Sequence, residues 1–135
     1  MATMTVSGPP EGTPREIAAA LPAIEAETEG ATGAEIEVEI ADSARARRRG
    51  LLGRAGITGA LLLTPARGVH TVGMRFALDV AYLDRELRVL SVRTMRPGRV
   101  GRPRVRARHV LEAEAGAMAR WGVRRGARIA VHGTE

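Results

Sequence analysis

Four side chains with chemical potential fall inside one largely apolar run, Val69 to Asp84: His70, Thr71, Arg75 and Asp79. A charged group in such a run must find a partner or bear a heavy desolvation cost. Arg75 offers a guanidinium to an anionic group, and His70 can act as donor or acid/base near neutral pH. The competing structural reading has Asp79 capping a turn or pairing with an arginine, because ion pairs that only support a fold look the same in sequence. On an uninterrupted strand Arg75 and Asp79 share a face but lie roughly 13 Å apart. Contact between them therefore requires a bend, which Gly73 can supply. Thr71 shares their parity; His70 has the opposite one.

Glu112 is a further carboxylate, in Val110-Leu111-Glu112-Ala113-Glu114. In a strand Glu112 and Glu114 face one way, as on a solvated or arginine-paired surface. A glycosidase reading needs two carboxyls about 5–9.5 Å apart across a cleft. Asp79 and Glu112 could meet that only through tertiary contact. No metal and no cofactor is expected: His70, His109 and His132 are widely separated, and there is no cysteine. Nor is there a Gly-x-Ser-x-Gly nucleophile motif, the serines being Ser7, Ser43 and Ser91.

A second candidate region is basic. Arg93, Arg96, Arg99, Arg102, Arg104, Arg106 and Arg108 place seven guanidiniums within sixteen residues, with Pro97, Gly98, Gly101 and Pro103 keeping the segment extended. Such a segment can follow a phosphate backbone, with affinity that falls steeply as salt rises. Phe76, Tyr82 and Trp121 are the only aromatic residues, so no stacking platform for single strands is visible. Trp121 reads as a core plug. All 21 basic residues are arginine, so part of this density can reflect a coding preference. Residues 1–40 hold eight Glu and one Arg, net −7, whereas residues 41–135 hold twenty Arg, three Asp and four Glu, net +13. The basic body can meet a polyanion or the chain's own acidic segment.

The elements that must position these groups are short. Residues 1–12 read as disordered. Thr13-Pro14-Arg15-Glu16 reads as a capping box opening a helix with Ile17, Leu21 and Ile24 on one stripe. Residues 1–33 are thus expected to form a disordered start and an amphipathic helical appendage, and residues 34–135 a single domain. Glu35, Glu37 and Glu39 alternate with Ile36, Val38 and Ile40, which is a half-buried strand with an acidic face. Asp42 or Ser43 caps a helix over residues 44–52. Leu61–Leu63 forms a buried strand, residues 69–84 one or two strands broken near Gly73, and residues 78–92 a hairpin turning at Asp84-Arg85-Glu86. Residues 96–108 form a loop, 109–113 a strand, and 115–121 a helix ended by Gly122. Residues 127–132 form a closing strand. Together these predict a mainly β fold, a compact sandwich or small barrel of mostly antiparallel strands with two short helices.

Five blocks occur in order: Ser43–Arg54, His70–Phe76, Leu78–Asp84, Val110–Gly116 and Gly122–Gly126. As a set they resemble the family catalogued as domain of unknown function 192, over about residues 36–131. The resemblance implies a compact, mostly β fold with short helices and no established activity. The central block is similar to the His-Thr-x-Gly-Met-Arg version in that family. Other members carry a Trp-Met-Lys-Asn-Thr version, with Arg75 falling where they place the lysine.

The leading expectation is a binding or accessory module with a shallow polar site of His70, Thr71, Arg75, Asp79 and Glu112, for a small anionic ligand or a protein partner. A nucleic-acid-associated protein using Arg99, Arg102, Arg104 and Arg106 is the first alternative. A hydrolase-like enzyme using His70 and Asp79 is the second. With no run of 18 apolar residues or signal-peptide pattern, the chain is expected in the cytoplasm without membrane attachment, as a monomer or weak homo-oligomer.

Overall fold

The computed structural model describes residues 2–8 and 35–133. Among these, seven strands and two short helices follow one another: β1 Ala2–Ser7, β2 Ile36–Ala41, α1 Ala44–Arg49, β3 Ala60–Leu63, β4 Leu78–Leu83, β5 Val89–Met95, β6 His109–Glu114, α2 Ala117–Trp121 and β7 Arg128–Gly133. One sheet holds all seven strands in the order β5-β4-β6-β3-β2-β1-β7. Every neighbouring pair is antiparallel except β2 with β3. The sheet curls until the start of β5 approaches the start of β7. There Arg88 bridges Arg128, and the Val89 backbone bonds to Gly126 and Ala127. The mainly β class stands, but the expected two-sheet sandwich or small barrel is a single sheet rolled into a half-barrel.

Alternation along the strands sorts the apolar side chains into two layers. Ala81, Leu83, Leu111 and Ala113 join Met4, Ile129 and Met118 on the inner face of the curl. Val80, Tyr82, Val110 and Leu61 join Leu51 and Met74 on the outer face, beneath α1 and the 50–54 and 71–76 turns. Strands β4 and β6 lie between the layers, so β4 is buried at all six positions.

Local signals place the short elements as the sequence predicts. The Ser43 hydroxyl accepts from the Ala46 amide at 3.0 Å and caps α1. In the β4–β5 turn, Asp84 Oδ1 accepts the amides of Glu86 and Arg88, both at 2.9 Å. Gly122 ends α2 at φ 75°, a left-handed conformation that favours glycine. Residues 69–76 differ: they form no strand of the sheet, only a single bridge between His70 and Val100.

The amino terminus requires a correction. Ala2–Ser7, expected to be disordered at the head of a helical appendage, is a strand paired with both β2 and β7. Ala2, Met4 and Val6 alternate inward with Thr3, Thr5 and Ser7, a period of two obscured by the Gly/Pro cluster that follows. The helix expected after Thr13 lies outside the described residues. Because Met4 is wholly buried, Met4→Ala is predicted to cost about 2–5 kcal/mol in chemical denaturation. An unchanged unfolding midpoint would mean that β1 does not belong to the sheet.

Candidate functional site

The five residues of the expected polar site do not share one pocket. Asp79 is opposite Ala113 and Glu112 is opposite Val80 in the β4–β6 ladder. Adjacent positions on a strand face opposite ways, so Asp79 points to the inner face and Glu112 to the outer. A two-carboxylate glycosidase site between them is excluded by this geometry.

Asp79 has a structural task. Its Oδ1 accepts the Thr94 hydroxyl at 2.7 Å, and its Oδ2 accepts the backbone amides of Gly116 at 2.9 Å and Met118 at 3.2 Å. The N-cap residue of α2 is Gly116, which has no side chain to bond the free amides of the first turn. Asp79 supplies that cap from the neighbouring strand. His70, by contrast, is exposed on the outer-face side, so the pair invoked for a hydrolase is not assembled.

Thr71 is wholly buried and fastens two loops together. Its hydroxyl donates to the Arg96 carbonyl at 2.5 Å and accepts the Arg99 amide at 2.9 Å. Its backbone amide donates to the Arg99 carbonyl at 2.7 Å, while its carbonyl accepts the amides of Gly98 and Met74. Farther along, the Gly101 amide reaches the Val69 carbonyl and the Arg104 amide the Arg67 carbonyl. The arginine loop thus runs antiparallel to residues 67–71. This register sets exposed His70 beside Arg99 and Arg102, and the exposed Arg75, Arg96 and Arg106 belong to the same two segments; these six residues are termed the rim. Among the described residues the single salt bridge is Arg54–Glu39, away from this rim.

Arg104 departs from the expected basic set. Its guanidinium folds back over the Tyr82 ring, 5.2 Å from the centroid, in a cation–π contact. Burial pushes the Tyr82 hydroxyl pKa upward, and the nearby Arg104 charge partly opposes that shift. Gly101 allows the close approach, since a methyl group there would lie 2.7 Å from the Tyr82 hydroxyl. Arg104 therefore anchors the loop, leaving Arg99, Arg102 and Arg106 facing solvent.

Glu112 is the anomaly of the outer face. It is 1% exposed, and its Oε1 has no hydrogen-bond partner among the described residues. Gly50 and Met74 lie above it: a methyl group at Gly50 would sit 3.5 Å from that oxygen and 3.9 Å from Met74 Cε. Burial raises its pKa to about 7. The expected solvated or arginine-paired face is thus not what forms around Glu112. The apolar company of Val110 on the same parity was the available sequence signal.

Two clefts are present, the first lined in part by Asp79. One of about 580 Å³ runs between β5 and α2, with Trp121, partly buried and packed against the inner core, in its wall. The other, about 450 Å³, is lined by Glu37, Glu39, Glu114 and Arg54. Among the described residues no group of three or more His, Cys, Asp or Glu is placed to hold a metal. No described helix is long and apolar enough to cross a membrane.

The raised Glu112 pKa has a defined stability signature. Between about pH 4.5 and 7 the unfolded chain ionises at this position while the folded chain stays protonated. Stability contributed by the neutral carboxyl is therefore complete below that window and is lost as pH rises through it. Relative to Glu112→Gln, the natural chain is predicted to lose about 3 kcal/mol across the window and nothing more above it. Denaturation curves of both proteins at several pH values check this, and parallel pH profiles would contradict it.

Comparison with known proteins agrees with this architecture. The DUF192 family model, described as "Uncharacterized ACR", matches residues 25–131. The UPF0127 protein PH1112 of Pyrococcus horikoshii is 33% identical over 85 residues, covering 59% of this chain and 74% of that protein. A crystal structure of a protein of unknown function from Novosphingobium aromaticivorans is similar at TM-score 0.63 and 16% identity, over 96% of this chain and 82% of that one. Another, from Sinorhizobium meliloti and described as a "putative transcription regulator", is similar at TM-score 0.65 and 23% identity, over 72% of this chain and 82% of that one. With its sequence blocks and half-barrel in agreement, the chain belongs to the uncharacterised DUF192 family.

Proposed function

We propose that this domain is a binding module whose basic rim docks a polyanion, with a nucleic-acid phosphate backbone the ligand that suits it best. The observation that carries this reading is the Thr71 clamp, which holds the segment through His70, ahead of Arg75, against the arginine loop. Cations on tied segments lose less conformational entropy on binding than cations on a free loop. The rim is an extended row of exposed cations, which suits a linear array of phosphates better than one small ligand. Tyr82 is buried beneath Arg104, so the rim offers no stacking platform there and contacts would go to the backbone, not to particular bases. The regulatory description of the Sinorhizobium meliloti neighbour is consistent with such a role but concerns that protein.

A second reading, an acidic protein partner, is favoured by one observation. Val72, Val100 and Val105, three of the four exposed large hydrophobic residues described, lie on the same two segments. A phosphate backbone would leave these valines uncovered, whereas a partner with an apolar centre and acidic margin would cover them.

Fluorescence anisotropy of a short labelled duplex, titrated with the full chain at several salt concentrations, separates the readings. Binding is predicted to weaken steeply with salt, and Arg99→Ala, Arg102→Ala and Arg106→Ala each to reduce the logarithmic salt slope by about one. Val100→Ser and Val105→Ser should have little effect. An absence of salt-sensitive binding would overturn the nucleic-acid reading, as would binding indifferent to the three arginine substitutions.

A further inference from the structure

Among the described residues, the outer edge of β5 is largely unpaired. β5 ends the sheet order, with β4 on one side. The Ala77 and Leu83 carbonyls accept amides from the β6 side, at Ala115 and Arg108. Backbone groups alternate in direction along an antiparallel strand, so Leu78, Val80 and Tyr82 face β5. Their partners Met95, Arg93 and Ser91 are therefore turned toward β4. It follows that Val92 and Thr94 direct their N–H and C=O groups away from the sheet. The approach to β7 occupies this edge only at Val89, whose N–H donates to the Ala127 carbonyl at 2.8 Å and whose carbonyl accepts the Gly126 amide at 2.9 Å. Among the described residues, no backbone hydrogen bond reaches Val92 or Thr94 from that side.

This edge forms one wall of the cleft of about 580 Å³. Val6, Met118, Trp121 and Val123 provide apolar surface there, and Arg124 also lines it. Arg124 is exposed and belongs to no salt bridge among the described residues. Free backbone donors and acceptors, an adjoining apolar slot and a cation together define the requirements of strand addition. We propose that the cleft takes an extended peptide segment as an added strand beside β5. Its backbone pairs with Val92 and Thr94, one apolar side chain enters the slot against Trp121, and an acidic group meets Arg124. A peptide fits better than a compact apolar molecule, which would leave the edge amides and carbonyls of Val92 and Thr94 without partners. The site is separate from the basic rim: Asp79, on the inner face, also lines it, whereas the rim lies on the outer-face side.

Trp121 is the only tryptophan in the chain, so its emission reports occupancy of the cleft directly. The probe is a short peptide, Glu-Val-Ile-Val-Glu, acetylated and amidated, titrated into the full-length protein. A saturable change in Trp121 emission is expected, weakened about tenfold when alternate peptide amides are N-methylated and strand pairing is blocked. Arg124→Glu, a change at an exposed position, should weaken binding of the unmodified peptide while leaving the thermal unfolding curve in place. No saturable response, or equal binding of the methylated and unmethylated peptides, would overturn the proposal.

Discussion

Burial of the sheet's centre on both faces is the constraint from which the rest of the structure follows. Strand β4 has no exposed residue, and β6 is buried at its four central positions. Two layers must therefore be built from short elements: α2, β1 and β7 on the inside of the curl, α1 and the two long loops on the outside. Any polar side chain of β4 or β6 in those layers must be satisfied there or remain without a partner. Asp79 takes the first course and caps α2. Glu112 takes the second and is kept neutral by burial into the neutral pH range.

The outer layer explains why the arginine loop is an ordered part of the surface. Thr71 lies wholly within the protein, yet its hydroxyl and backbone bond to residues some 25 to 28 positions away in sequence. Arg104 secures the far end by stacking on Tyr82 from the same layer. The rim cations are consequently held by interactions from beneath. Charge density alone would not distinguish them from Arg45, Arg48 and Arg49 of α1, which are also exposed but sit on one short capped helix rather than on two paired segments.

Much of the fold is legible in the sequence, because strand alternation over residues 35–40, the Ser43 cap, the Asp84 turn and Gly122 are local signals with local causes. What escapes it is nonlocal. β1 is a short alternation stabilised by partners more than thirty and more than one hundred and twenty residues away. The candidate site illustrates the same division. Of the polar residues in the 69–84 run, Thr71 and Asp79 are buried while His70 and Arg75 are exposed, and strand parity between β4 and β6 decides that Asp79 and Glu112 point apart. Whether Arg104 faces solvent or Tyr82 depends on the path of a loop whose hydrogen-bond partners lie outside its own sequence. The cleft beside β5 exists because the curl stops at Val89, a property of the whole sheet.

Docking of a polyanion on the clamped rim can be followed by mapping backbone amide chemical shifts while a short DNA duplex is added. Perturbations concentrated at residues 70–75 and 96–106, fading together as salt is raised, are expected. Perturbations concentrated instead at Arg45–Arg49 of α1, with the rim silent, would contradict it.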